Sequence, residues 1–159
     1  MVKLYCLRHG EALDSSHDAT RPLSERGAAQ VLNLLSYLRD HGLAVDAIWH
    51  SDLLRAVQTA DIAQSVLRAD EQVACAQALR PEAEVSDFVP QVNALSTPTL
   101  IVSHLPFIPR LINALVIDNP DHSPIVDCPP AGIVCLERFN PTDWAIRWIV
   151  HPGLLERIQ

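Results

Sequence analysis

Arg8 and His9 interrupt the stretch "LYCLRHGEA", residues 4–12, at the point where an apolar run stops. Arg55 lies in "SDLLRAVQTA", residues 51–60, and His104 directly follows the apolar run "TLIVS". A guanidinium is a planar, permanently charged fork that pairs with two oxygens of a tetrahedral oxyanion. An imidazole can donate a hydrogen bond or attack an electrophile near neutral pH. Two arginines, two histidines and the positive end of a helix, brought together, would make a strong anion site, and a dianionic phosphoryl group fits it best. Taken singly, each residue is ordinary: a turn histidine, a solvated helix arginine, a helix-capping histidine. The set becomes informative through where each member falls in the predicted elements.

Val2 to Leu7 reads as a buried strand, followed by the polar loop "HGEALDSSHDATRPL". Ser24 is a predicted N-cap for a helix with its apolar stripe at Ala28, Val31, Leu32, Leu35 and Leu38, and Gly42 is a fitting stop. Residues 45–51, "VDAIWHS", form a second strand. The next helix is capped by Ser51 or Asp52, with an inner stripe of Leu53, Ala56, Ala60, Ala63 and Val66 or Leu67. A weak strand lies near residues 73–76, a short helix made irregular by Pro90 over 82–95, and a clear strand over 99–103. A third long helix starts at Pro106 or Pro109. Residues 118–131 are proline-rich and irregular, and 132–150 form two strands joined by Asn140-Pro141-Thr142-Asp143.

Strands alternating with helices imply an α/β three-layer sandwich around a mainly parallel sheet, with the C-terminal hairpin as an antiparallel edge. In such sheets ligands bind beyond the carboxyl ends of the strands. Arg8 and His9 follow the first strand, Arg55 sits in the first turn after the second, and His104 follows the strand 99–103. All four therefore fall on one predicted edge.

The chain has 159 residues, 48% of them hydrophobic, enough for one domain over 1–159 with one substantial core. Its net charge of -7 argues against a nucleic-acid or anionic-membrane partner, which would call for a basic face. No stretch reaches the ~18 apolar residues of a membrane span. The N-terminus reads as a strand rather than an export signal, so Cys6, Cys75, Cys128 and Cys135 are expected as reduced thiols in a cytoplasmic protein. The cysteines form no close metal pair, no histidine pair has zinc-ligand spacing with a third partner, and no metal or other cofactor is expected.

Four segments carry a family resemblance: "LRHGEA" at 7–12, "RPLSERG" at 21–27, "SDLLRAVQTA" at 51–60 and "LIVSHLP" at 100–106. In this order they resemble the histidine phosphatase superfamily, with its phosphoglycerate mutase-like fold. The short length, the "D-x-x-R-P-L-S" loop from Asp18 to Ser24, and "SHLP" are most similar to the small SixA-type phosphohistidine phosphatases.

The resemblance implies His9 as a nucleophile forming a covalent phosphohistidine, with Arg8, Arg55 and His104 binding the phosphoryl oxygens and Arg21 beside the pocket. It implies no metal, because the arginines would carry the charge. Members that cleave esters use a carboxylic acid from a later loop; here Glu11, Asp18, Glu82 and Glu84 are all available and no pattern marks one. Imidazole leaves phosphorus more easily than an alkoxide, since its conjugate acid has a pKa near ~6.5. Only 22 residues separate Ala76 from Thr99, room for one short helix and not for a lid. The expected function is dephosphorylation of a histidine-phosphorylated signalling protein. The alternatives are a phosphatase of small esters or anhydrides on the same fold and a non-catalytic phosphoprotein-binding module. His50, beside Ser51, is a candidate for the pocket border, whereas His17, His41, His122 and His151 are expected in loops or at termini.

Overall fold

A computed structural model describes residues 1–158. In chain order the elements are β1 (Lys3–Arg8), α1 (Glu25–Asp40), β2 (Ala47–His50), α2 (Leu54–Leu67), β3 (Glu71–Ala74), α3 (Val85–Asn93), β4 (Thr99–Ser103), α4 (Phe107–Ile117), β5 (Ile133–Arg138), β6 (Trp144–Val150) and α5 (Pro152–Ile158). Single 3-10 turns lie at Asp18–Thr20 and Gln77–Leu79.

The six strands form one sheet in the order β3-β2-β4-β1-β5-β6. The β3, β2, β4 and β1 strands run parallel, and β5 and β6 complete the sheet antiparallel. Period-two alternation divides the core into two layers. Tyr5 and Leu7 join the cluster that holds Val31, Leu35, Ala56 and Ala60 of α1 and α2. Leu4 and Cys6 join the cluster that holds Phe88, Val92, Ile108 and Leu111 of α3 and α4. All five residues of β4 are buried, as expected for a central parallel strand covered on both faces.

Ser24 caps α1 by accepting a hydrogen bond from the Gly27 N–H at 2.9 Å. Gly42 follows α1 with φ +97°, a left-handed conformation that glycine adopts without a Cβ clash. The inner face of α1 carries Leu34, not the expected Leu32, which is 46% exposed; at 3.6 residues per turn the buried stripe passes through Val31, Leu34, Leu35 and Leu38. Neither Ser51 nor Asp52 caps α2, whose N-cap is Leu53 without a side-chain bond. The third strand runs over Glu71–Ala74, two residues earlier than expected, because its register is set by pairing with β2. The α4 helix begins at Phe107, with Pro106 as its N-cap. The closing helix α5 was not expected, and its Leu155 packs on the α1 side of the core.

Candidate active site

Strand register assembles the site. Leu7 pairs with Val102 and Arg8 with Ser103 across β1 and β4, while His50 pairs with Val102 across β2 and β4. The next residue of each strand, His9, His104 and Ser51, therefore emerges at the same sheet edge. The His9 N–H donates to the Ser103 carbonyl and the Ser51 N–H to the Val102 carbonyl, both at 3.1 Å.

His9 is buried, and its Nδ1 lies 2.7 Å from the Gly10 carbonyl. A carbonyl only accepts, so Nδ1 carries the proton and Nε2 keeps its lone pair. Burial, with Arg55 and Arg8 among the nearby charges, pushes the His9 pKa down to about 4. The imidazole is thus neutral at physiological pH. Gly10 is itself held: its N–H donates to Thr59 Oγ1 at 3.1 Å, and the Thr59 hydroxyl donates to the Arg55 carbonyl at 2.8 Å. A Cβ on Gly10 would meet the Gly27 carbonyl at 2.9 Å, and one on Gly27 would meet the Glu11 carbonyl at 2.2 Å. Both glycines let α1 lie directly against the backbone that follows His9.

Arg8 Nη1–H donates to the Cys128 carbonyl at 3.0 Å. The Arg8 and His9 carbonyls both accept from Ala131 N–H, and Ala131 is held at φ 61°, so the proline-rich segment braces the end of β1. Arg55 is almost fully buried; Nη1–H donates to the Asp18 carbonyl at 2.9 Å, and Nη2–H to Asp18 Oδ2 at 3.4 Å. The His104 ring centroid lies 5.0 Å from that of His9, and its Nε2 lies 2.8 Å from Ser51 Oγ. Burial, then the neighbouring His9 and Arg55, pushes the His104 pKa down to about 3. Four buried side-chain polar atoms among the described residues have no hydrogen-bond partner: Arg8 Nε, Arg55 Nε, His104 Nδ1 and Gln64 Oε1. Three of the four belong to the residues around His9. Unmet buried donors are costly, and a cluster of them is what a preorganised oxyanion site requires.

Arg21 sits nearby, 3.5 Å from Asp18 Oδ1, with its Nε–H donated to the Leu13 carbonyl. Asp18 thus bridges Arg21 and Arg55. Desolvation pushes its carboxyl up, but the charges and hydrogen bonds of Arg55 and Arg21 together outweigh this and hold it below the usual range. The Glu11 carboxylate accepts from the Ser24 hydroxyl at 2.8 Å and faces Arg26 at 3.6 Å, so its contacts support the start of α1. Glu82 is exposed on the turn after Gln77–Leu79, and Glu84 lies within reach of Ser86. None of these three glutamates has a bond to His9, Arg8, Arg55 or His104. His50 is buried, with Nδ1–H donated to the Ser51 carbonyl at 2.9 Å. It supports the edge beneath Ser51. His17, His41, His122 and His151 are exposed.

Sequence reasoning missed Ser51, Gln58 and Thr59 as parts of the site's frame. Ser51 touches His104, Gln58 Oε1 accepts the Leu23 N–H at 2.7 Å, and Thr59 holds Gly10. The available signal was the clustering of polar residues in "SDLLRAVQTA" on a helix otherwise lined with alanine. No group of three or more His, Cys, Asp or Glu suited to a metal ion occurs among the described residues. Burial raises the thiol pKa values of all four free cysteines, which makes them poor nucleophiles.

Residues 4–81 match the histidine phosphatase superfamily (branch 1). An uncharacterized protein of Picosynechococcus sp. is 30% identical over 143 residues, covering 85% of this chain and 84% of that protein. The fold is similar to the protein histidine phosphatase SixA complexed with tungstate, with a TM-score of 0.85 and 24% identity over 96% of this chain and 99% of the other. It is also similar to a phosphoserine phosphatase of Entamoeba histolytica, with a TM-score of 0.70 and 14% identity over 98% and 100% of the two chains. The chain belongs to the histidine phosphatase superfamily, and the class of protein these findings support is a phosphatase.

Proposed function

We propose that this chain is a phosphohistidine phosphatase acting on a histidine-phosphorylated signalling protein in the cytoplasm, as a single domain without a lid. The observation that carries the proposal is the trio of buried, partnerless nitrogens on Arg8, Arg55 and His104 around a neutral His9 whose Nε2 lone pair is free. In this reading Nε2 of His9 attacks phosphorus, and the imidazole of the substrate leaves. Arg8, Arg55 and His104 hold the equatorial oxygens, and Arg21 supports the rim through Asp18. Water then attacks phospho-His9 and releases inorganic phosphate, restoring the enzyme. The arginines supply the charge that stabilises the transition state, with no metal in the scheme.

Three features favour a phosphoramidate on a protein over a small ester. The Asp18 and Glu11 carboxylates are engaged by cations or by a helix start, so neither is a free proton donor for an alkoxide. The α3 helix, in the segment where a lid would be inserted, buries Val85, Phe88 and Val92 in the core instead. An apolar groove lined by Leu105, Pro109, Ile125 and Val126 starts at the residue after His104, which suits a protein surface rather than a sugar. The SixA structure of similar fold holds tungstate, a tetrahedral oxyanion. Four unpaired cysteines favour a reducing compartment.

The test is single-turnover hydrolysis of a ³²P-labelled phosphohistidine protein, beside an aryl phosphate and a sugar phosphate, with wild type and His9→Ala. Rapid loss of label, slow ester cleavage and an inactive His9→Ala support the reading. Preference for the esters moves the function to small molecules and points to Glu82 or Glu84 as the acid. Oxyanion binding without turnover of any substrate leaves a phosphoprotein-binding module.

A further inference from the structure

The Ser51 hydroxyl has one proton to give and two lone pairs to receive with. It is fully buried, with the Leu53 N–H donating to Oγ at 3.2 Å and His104 Nε2 at 2.8 Å. If Nε2 carried a proton, both Ser51 contacts would be donations to Oγ. The hydroxyl proton would then have no acceptor among the described residues, in a place water does not reach. If Nε2 is bare, the hydroxyl donates to it and every atom of Ser51 is matched. The rest of Ser51 is pinned as well: its N–H donates to Val102 and its carbonyl accepts from His50 Nδ1.

We propose that Ser51 is a positioning residue that fixes His104 as a neutral imidazole with its proton on Nδ1, aimed as an uncharged donor at a phosphoryl oxygen. The proposal deepens the phosphatase reading, on which its functional meaning rests. His104 Nδ1 is the buried atom that lacks a partner. Carrying the proton, it is an N–H awaiting an acceptor, beside the equally unmet Nε–H groups of Arg8 and Arg55. An imidazolium is disfavoured by burial and by the cations around it. A neutral imidazole cannot release its one ring proton to a leaving group without becoming an anion. His104 therefore stabilises developing charge and does not act as the acid. With His104 unable to serve as the acid, the site favours a substrate whose leaving group already carries its proton. An imidazole phosphorylated on one nitrogen and protonated on the other meets this condition: the P–N bond breaks, its electron pair stays on the departing nitrogen, and neutral imidazole is released.

The test uses the full chain, ¹⁵N-labelled, with long-range ¹H–¹⁵N correlation of the histidine rings near pH 7 and His104→Gln to assign the signals. The expected spectrum has His104 Nδ1 in the protonated range and Nε2 in the unprotonated range. A proton on Nε2, or on both nitrogens, overturns the proposal and needs no variant to be read. In Ser51→Ala the ring should populate both tautomers, and affinity for inorganic phosphate should fall about tenfold, the usual scale for a residue that orients a ligand-binding histidine. Ser51→Thr, which keeps the hydroxyl, should restore the Nδ1–H form and most of the affinity. Unchanged tautomer and unchanged phosphate affinity in a folded Ser51→Ala would overturn the role of Ser51. Neither readout involves turnover, so failure to hydrolyse a phosphohistidine protein would count against the proposed function alone.

Discussion

The ends of β1 and β4 are neighbours in register, and each delivers a buried histidine whose pKa is pushed far down. Their surroundings differ in one respect. At the end of β1 the Gly10 carbonyl takes the Nδ1 proton of His9 and leaves the Nε2 lone pair exposed to reaction. At the end of β4 the Ser51 hydroxyl takes the Nε2 lone pair of His104 and leaves the Nδ1–H unmet. In the proposed scheme both rings hold the same tautomer, but one presents the attacking lone pair and the other a donor. A single hydrogen-bond partner on the far side of each ring decides its role. Residue type and burial do not.

The sharpest way to break this comparison is His9→Ala, which removes the lone pair and leaves the donors. Turnover should fall about 10³-fold or more, as for loss of a nucleophile, while inorganic phosphate still binds. Single-turnover rates and phosphate titration measure the two effects. Arg55→Ala acts on the donors that both rings share; the rate should fall about 10²–10³-fold, and phosphate affinity should fall with it. Retention of either would remove Arg55 from the cage.

Acid tests whether the two rings stay neutral together. Their pKa values of about 4 and about 3 lie below the ~6.5 of an unfolded histidine. Between those values the unfolded chain binds more protons than the folded one, so folding stability should drop as pH falls from ~6.5 towards 4. Urea unfolding at a series of pH values measures the loss. The nucleophile itself should remain neutral down to about pH 4, and NMR titration of the His9 ring reads this directly.

Thr59→Val sharpens the comparison on the His9 side. It keeps the shape but leaves the Gly10 N–H without its acceptor, a cost of about 1–3 kcal/mol. Because Gly10 orients His9, kcat should also fall, by about tenfold, with little change in phosphate affinity. The smallest effect should come from Ser24→Ala. Ser24 resembles Ser51 in type and place, yet it caps α1 and lies outside the phosphoryl cage. Its loss should cost about 1 kcal/mol in denaturant unfolding, with turnover within about twofold of wild type.

Much of this was legible before the structure. The runs at 2–7, 45–51 and 99–103 give away β1, β2 and β4, found at Lys3–Arg8, Ala47–His50 and Thr99–Ser103, because central parallel strands are buried on both faces. Arg8, His9 and His104 could be placed because a polar residue at the end of such a run has only one edge of the sheet to occupy. In the α1 stripe Leu34 takes the place expected for Leu32, since periodicity alone does not fix the rotation of a helix against its sheet. The helix α5 was missed because "PGLLERI" is short and begins with a proline and a glycine.

The sequence by itself determined the succession of strands and helices as far as β6, and it placed Arg8, His9, Arg55 and His104 at one sheet edge. Their spacing relative to the strand ends is a local, one-dimensional property. Only the tertiary structure decided what each of them presents. The bonds that do so join Gly10 to Thr59, Asp18 to Arg55 and Ser51 to His104, across 49, 37 and 53 positions. Such pairs are brought within 3.1 Å by sheet register and helix packing together, and nothing in a local pattern encodes which lone pair or proton of a buried side chain is left over.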